Sequence, residues 1–306
     1  MTKIHTIDLN FRGVPHTIAV YVIESRDGLV LVETGPASCL AALKSGLAEI
    51  GYQPSDVKHV LLTHIHFDHA GAAGWWASQG AHIYVHHIGA PHMIDPSRLN
   101  ASAKRIYGDQ METLWGTLLP INPDQVTTLH NWGKIKIGKL TFECLDTPGH
   151  AKHHMAFKLG DVCFSGDVGG VRLVGRPLID LPSAPPQFDQ EAWLASVGCL
   201  KAFKFREIYP THFGGIVGTG NVEAHLSELT RFIPTVSNLI KEQLEQGKTR
   251  EEIIKFYEGW QTDRAELEGL VESELHAYFT ATPPDVSVDG VIRYWKKRWE
   301  SQHMGQ

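Results

Sequence analysis

No stretch of this chain approaches the ~18 uninterrupted apolar residues that a membrane span requires, and no tract is of low complexity. A membrane protein and a fibre are therefore not expected. A disordered chain is excluded by composition, since 42% apolar and 20% charged residues suffice to bury a core and wet a surface. Cysteine is scarce. Cys39, Cys144, Cys163 and Cys199 lie far apart with no C-x-x-C pair, which argues for reduced thiols over a disulfide framework or a zinc knuckle. A basic excess is missing as well: 28 Lys and Arg stand against 34 Asp and Glu, so no nucleic-acid partner is expected. The start, Met1–His5, has neither an apolar h-region nor a cleavage site, and the expected location is cytoplasmic.

What is abundant is histidine, 18 residues against 5 Met and 8 Tyr. Histidine is the commonest metal ligand, so the question is whether these residues are grouped.

At 306 residues the chain is long enough for one large domain with an appendage. The first two-thirds read as short strands threaded with helices. His16–Ile23 and Gly28–Glu33 are rich in β-branched residues around an Arg26-Asp27-Gly28 turn, which predicts a hairpin. A helix is expected from about Ala37 to Ile50, a strand covered on both faces at Val57–Leu62, and a helix at Ala70–Ser78. After an insert over about Pro96–Leu119, strands resume at 126–128, 134–137, 140–145, 155–159 and 162–164. The expectation is an α/β layered architecture.

From Val222 the pattern is helical only. Leu226, Leu229, Phe232, Ile233, Val236, Leu239 and Ile240 recur at three- and four-residue spacing, with Pro234 inside, where it is expected to kink the helix, and Gly247 ending the run. Thr249–Glu252 is a capping box, Asp263–Glu266 is read as opening another helix, and a last helix is placed at about Val288–Trp299. Its Arg293–Trp299 run mixes basic and aromatic residues and reads as an amphipathic helix burying Val291, Trp295 and Trp299. Residues 222–306 carry net −5 against −1 for the rest. The expected division is a catalytic body over 1–220 and a helical region over 221–306.

The chemistry concentrates in Thr63-His64-Ile65-His66-Phe67-Asp68-His69, between a predicted buried strand and a helix. Strand-end loops are where ligands bind in α/β sheets. Four N and O donors within six residues exceed the need of one metal and suggest two. Three later strand ends add His150 after Pro148-Gly149, Asp167 after Ser165-Gly166, and His212 after Pro210-Thr211.

On H-x-H-x-D-H at 64–69 and the downstream His150, Asp167 and His212, the chain resembles the metallo-β-lactamase superfamily, in its glyoxalase-II-like branch. The similarity spans roughly residues 1–220. It implies a four-layer αββα sandwich carrying an all-helical C-terminal extension. It further implies that His64, His66 and His150 hold one metal, that Asp68, His69 and His212 hold another, and that Asp167 bridges them. Imidazole and carboxylate donors without thiolate suit zinc, the first expectation, or iron or manganese. Two such cations sharing a hydroxide give a nucleophile at neutral pH, with Asp68 orienting it and accepting its proton. Glu33, Thr63 and Thr211 are candidates to support the imidazoles from behind. Glu33 stands where the family usually has Asp, which leaves its contact open. His154 matches a later family histidine. Lys152 and His153 are atypical and are candidates to face the substrate. Tyr107 and Trp115 of the insert, and Arg172 and Arg176 of the proline-rich loop after Asp167, are candidates for the pocket rim.

The implied reaction is hydrolysis of a small ester-like bond in a small-molecule substrate, a thioester or lactone first and a phosphodiester next. Exported β-lactamases lack the bridging aspartate. The RNA-processing nucleases need more than the 45 residues between Asp167 and His212, and the flavo-diiron enzymes carry Glu at the place of His66. No glutathione-binding motif is found in 222–306. The rival class is a mononuclear iron persulfide dioxygenase, and a structural metal in a non-catalytic protein is a third reading. A homodimer is compatible with all of these.

Overall fold

The computed structural model describes residues 3–173 and 175–303. The first sheet contains β1 (Ile4–Asp8), β2 (Ala19–Ile23), β3 (Leu29–Val32), β4 (Val57–Leu61), β5 (His82–His86) and β6 (Val126–Leu129) in that order. The second contains β7 (Lys134–Ile137), β8 (Leu140–Asp146), β9 (Met155–Leu159), β10 (Val162–Phe164), β11 (Glu207–Tyr209) and β12 (Ile216–Val217), again in sequence order. The predicted hairpin is β2 against β3, with Tyr21 opposite Val32 and Ile23 opposite Val30. β3 to β6 run parallel, and β4 sits between β3 and β5. That central place explains the nearly continuous apolar run at 57–62.

The helices of the body are α1 (Leu40–Glu49), α2 (Phe67–Ala70), α3 (Ala73–Ser78), α4 (Ala90–Ile94), α5 (Ser97–Tyr107), α6 (Met111–Leu114) and α7 (Gln190–Ala202). The extension is α8 (Thr219–Glu245), α9 (Arg250–Leu267), α10 (Glu272–Ala281) and α11 (Pro284–His303).

Three apolar cores stack through these layers. Val20, Val22, Leu31 and Val60 turn to Leu43, Leu47, Trp76 and Met93 of the first helical layer. Their strand neighbours Tyr21, Ile23, Val30 and Val32 turn the other way, to Phe142, Met155, Phe157 and Phe164 of the second sheet. This is the period of two that splits one strand between two cores. The outer face of the second sheet, with Ala156, Cys163 and Ile208, packs on Trp193 and Val197 of α7 and on the periodic face of α8. The result is the αββα sandwich with an all-helical extension that the resemblance implies.

Two helix assignments are corrected. No helix opens at Asp263, because α9 runs through it to Leu267 and buries Gln261 and Ala265. Its stop is Gly269 in the left-handed region at φ 72, and α10 then begins after Val271. The last helix starts earlier than expected, at Pro284, where the fixed ring suits a first helical turn. Pro234 lies inside a helix that continues through it. Around the Arg293–Trp299 run the expected burial is met in full only by Val291: Trp295 and Trp299 are half-buried, Trp295 Nε1 donates to Ser237, and Arg293, Lys296 and Lys297 are exposed. Among the described residues no helix is long and apolar enough to cross a membrane.

α7 buttresses the turn that carries His150. Asp189 N–H donates to Gly149 O at 2.8 Å, and Ser196 Oγ donates to Pro148 O at 2.6 Å. Gly149 sits at φ 136, and a Cβ there would overlap the backbone of Trp193. Gly149→Ala should therefore combine backbone strain with overpacking, costing about 2–4 kcal/mol. Urea unfolding of the metal-free protein checks this; an unchanged midpoint would show that the turn has slack.

Candidate metal centre

Strand ends on both sheets deliver the donors to one edge of the sandwich. The segment after β4 carries His64 and His66, and α2 carries Asp68 and His69. His150, Asp167 and His212 follow β8, β10 and β11. The sheets are tied at this edge by Met155 N–H donating to Thr63 O at 2.8 Å and Ala19 N–H donating to Thr211 O at 2.9 Å.

Two sets of donors converge. His64 Nε2, His66 Nδ1 and His150 Nε2 lie 2.8–3.1 Å from one another. His69 Nε2 and His212 Nε2 lie 3.5 and 3.4 Å from Asp68 Oδ2. Asp167 stands between the sets: its Oδ1 is 3.2 Å from His69 Nε2 and 3.5 Å from His212 Nε2, its Oδ2 3.3 Å from His150 Nε2. All seven are buried except His66 and Asp68, which are half-buried.

The hydrogen bonds behind the rings decide what these atoms can be. His150 Nδ1–H donates to Pro182 O at 2.5 Å, and His212 Nδ1–H to Thr17 O at 2.7 Å. Thr63 Oγ1–H donates to Glu33, so its oxygen accepts from His64 Nδ1–H at 3.1 Å. His69 Nδ1–H donates to Glu33 Oε1 at 3.2 Å. Each neutral ring therefore turns a lone pair inward, and the lone pairs of His64 and His150 meet at 3.1 Å. Lone pairs so close repel unless a proton or a cation lies between them. His69 Nε2, His212 Nε2 and Asp167 Oδ1 are buried without a hydrogen-bond partner. A tetrahedral cation with ligands at ~2.0–2.1 Å has donor–donor edges of roughly 3.3–3.4 Å, close to the spacings around His69 and His212. The residues present fit two divalent cations, and the paired clusters make this a binuclear metal site.

Burial pushes the His64 and His150 imidazoles down, as do neighbouring histidines, and takes His66 down to about 3. Burial acts the same way on His69 and His212, but the Asp167 and Asp68 carboxylates outweigh it and raise both. Those two imidazoles in turn hold Asp68 and Asp167 below the usual carboxylate range, against burial.

The supporting candidates are mostly in place. Glu33, fully buried at φ 70, accepts from Thr63 and His69, with Thr211 Oγ1 at 3.4 Å, so the longer side chain does reach the imidazole. His154 Nδ1 contacts Thr147 Oγ1 at 2.8 Å and its Nε2 accepts from Asp167 N–H at 3.1 Å, fixing the bridging segment. Gly166 lets that segment pass: a Cβ there would stand 2.5 Å from Thr63 Oγ1. His153 is buried beside the first set, its ring 5.6 Å from that of His66 and its Nδ1 unpartnered. Lys152 is exposed. Trp115 stacks on Phe11 at 5.3 Å, 6.4 Å from Phe67, and Tyr107 lies edge-on to it at 5.6 Å, so the insert flanks the α2 side of the site.

Arg172 is not brought to the metals: its guanidinium turns to His225 at 3.4 Å and Glu228 at 3.7 Å on α8. Arg176 pairs with Glu274 of α10. Sequence reasoning misses Thr17 and Pro182, which act through backbone carbonyls and leave no side-chain signature.

Fold and clusters together support a metal-dependent hydrolase. The chain belongs to the metallo-beta-lactamase superfamily, whose sequence pattern matches residues 13–212. The metallo-beta-lactamase family protein TTHA1429 of Thermus thermophilus shares the fold at TM-score 0.71 and 21% identity, covering 96% of this chain and 93% of that one. The metallo-beta-lactamase fold-containing protein ST1585 of Sulfurisphaera tokodaii is 25% identical, over 74% of this chain and 84% of its own length. Its crystal structure superposes at TM-score 0.62. A hydroxyacylglutathione hydrolase of Shewanella pealeana is 26% identical over 48% of this chain and 41% of that enzyme.

The proton balance predicts unequal metal uptake. His64, His66 and His150, lowered, are neutral below their ordinary 6.5 and present free lone pairs in mildly acidic solution. His69 and His212, raised, keep protons above 6.5, and binding there must displace them. Zinc titration at falling pH should therefore lose the ion at Asp68, His69 and His212 before the ion at His64, His66 and His150. Loss of both at the same pH would contradict the assignment.

Proposed function

We propose that the chain is a binuclear metal-dependent hydrolase of a small ester-like bond, with a thioester or lactone as the favoured substrate class. One cation, zinc in this reading, would be held by His64, His66 and His150, and the other by Asp68, His69 and His212, with Asp167 available to both. The observation that carries the proposal is the split of Asp167, one oxygen toward each set of imidazoles. When bound, the cations supply a hydroxide at neutral pH and polarise the oxygen of the bond under attack.

The chain's own residues do the rest. Asp68 is ionised and half-buried, and its contacts to His69 and His212 run through Oδ2. That suits it to orient a water molecule and take its proton. Glu33, Thr63 and the carbonyls of Thr17 and Pro182 hold the rings in the tautomers that face inward. Tyr107 and Trp115 wall the α2 side against water, and His153 is the candidate to meet the substrate beside His66. The Arg172 guanidinium, turned to α8, has no part in this scheme.

The thioester preference is supported by the partial likeness to the Shewanella pealeana hydroxyacylglutathione hydrolase. The helical region, residues 221–306, forms a distinct unit in sequence, and we take 1–220 as the catalytic body. A cytoplasmic enzyme acting on a small molecule, with no nucleic-acid partner, completes the reading. A mononuclear iron oxygenase would leave the Asp68–His69–His212 cluster without a purpose, so nothing observed favours it.

Metal analysis of purified protein, followed by thioester, lactone and phosphodiester panels, tests the proposal. About two zinc ions per chain with thioesterase or lactonase turnover is expected. A single iron with oxygen uptake on a persulfide would overturn it. Asp167→Ala should lose metal and turnover together, at least ~100-fold in rate; full activity in that variant would refute the bridging role.

A further inference from the structure

The segment Leu178–Ser183 belongs to no regular element, yet it is buried almost throughout and is gripped from both sides. On one side it touches His150 directly and reaches His212 through Val171 and Arg172. Pro182 O accepts from His150 Nδ1–H, and Asp180 exchanges backbone hydrogen bonds with Val171 at 2.9 and 3.0 Å. Val171 runs beside His212, whose carbonyl accepts from Arg172 N–H at 2.7 Å. On the other side, three helices of the extension each take a different carbonyl. Tyr278 of α10 donates to Leu178 O at 2.6 Å, Arg264 of α9 to Ile179 O at 3.3 Å, and Ser287 of α11 to Leu181 O at 3.2 Å. α11 presses on the segment so closely that a Cβ on Gly290 would collide with Ser183 O.

The centre of this grip is Asp180, 1% exposed. Its Oδ2 accepts from Gln261 Nε2 at 2.7 Å, and its Oδ1 from Leu181 N–H at 2.8 Å and Tyr257 O–H at 3.3 Å. A buried carboxyl needs such partners or it destabilises the fold. These partners are more than a core requires, since an apolar residue would fill the same space without demanding geometry.

We propose that Asp180 is a positioning residue through which the helical extension sets the geometry of the metal centre, by fixing the segment that orients His150 and braces His212. The proposal rests on the metal-centre reading given above. It assigns the extension a role in metal retention, separate from binding substrate.

Loading the full-length protein with cobalt(II) gives the test, because cobalt absorption reports ligand geometry independently of turnover. Asp180→Ala should bind cobalt about tenfold more weakly, with a shifted and weakened visible spectrum. The far-UV circular dichroism of its metal-free form should match wild type. Asp180→Asn should restore the wild-type spectrum. Its oxygen still accepts from Leu181 and Tyr257, and Gln261 can turn its Oε1, now without a partner, toward the new amide. Burial pushes the Asp180 carboxyl up to about 7, so an uncharged isostere suits the site. Gln261→Ala offers the same comparison if Asp180→Ala does not fold, with a smaller loss in the same direction. Wild-type affinity and spectrum in folded Asp180→Ala, or in Gln261→Ala where that variant stands in for it, would overturn the proposal while leaving the metal centre intact. A wild-type chain that takes up no cobalt would overturn both.

Discussion

Five imidazoles whose inner nitrogens must all be unprotonated at once impose the constraint on which this structure depends. Left to itself, a pair of ring nitrogens at about 3 Å shares one proton and forms a hydrogen bond. Here the outer nitrogens of four rings are already committed to donate, to Pro182 O, Thr17 O, Thr63 Oγ1 and Glu33. The fold thus holds electron-rich atoms against one another, and the cost is borne by the surrounding sandwich. Burial keeps protons off the first set, whereas Asp68 and Asp167 draw them onto the second. The two halves of one centre are therefore electrostatically unlike.

Both sheets are needed to maintain this arrangement. Glu33 follows β3, Thr63 follows β4, and Thr211 follows β11, so one buried carboxylate gathers the first and second sheets behind His69. A non-glycine residue at φ 70 is an unfavourable conformation, and Glu33 is held there by those contacts. Removing any one of them leaves a buried polar group with fewer partners in a dry environment, where it is hardest to tolerate.

Much of this is legible in the sequence, and for a physical reason. The chemistry lies at strand ends, and a buried strand announces itself by a continuous apolar run, as at 57–62. Side-chain donors at such ends are visible as letters. The carbonyls of Thr17 and Pro182 are not, because every residue has one. β5 is hard to read because the pattern His82-Ile83-Tyr84-Val85-His86 mixes strand alternation with histidines that invite another explanation. α7 is masked by the proline-rich loop before it, although Trp193, Val197 and Leu200 carry a helical period. The false start at Asp263 shows the converse: a cap signature has no effect when its residues lie in a helix whose burial continues past them. The Arg172 side chain points to α8, because proximity in sequence to Asp167 does not fix where a long side chain goes.

The order in which these parts emerge from the ribosome has its own consequence. His212 is followed by the helices that grip Leu178–Ser183, and Ser287 on α11 is among the last of those contacts to be made. A nascent chain carries His64, His66 and His69 long before the scaffold that aims them exists. The donors are spread from His64 to His212, so their final arrangement forms only once strand ends far apart in the chain have been brought together.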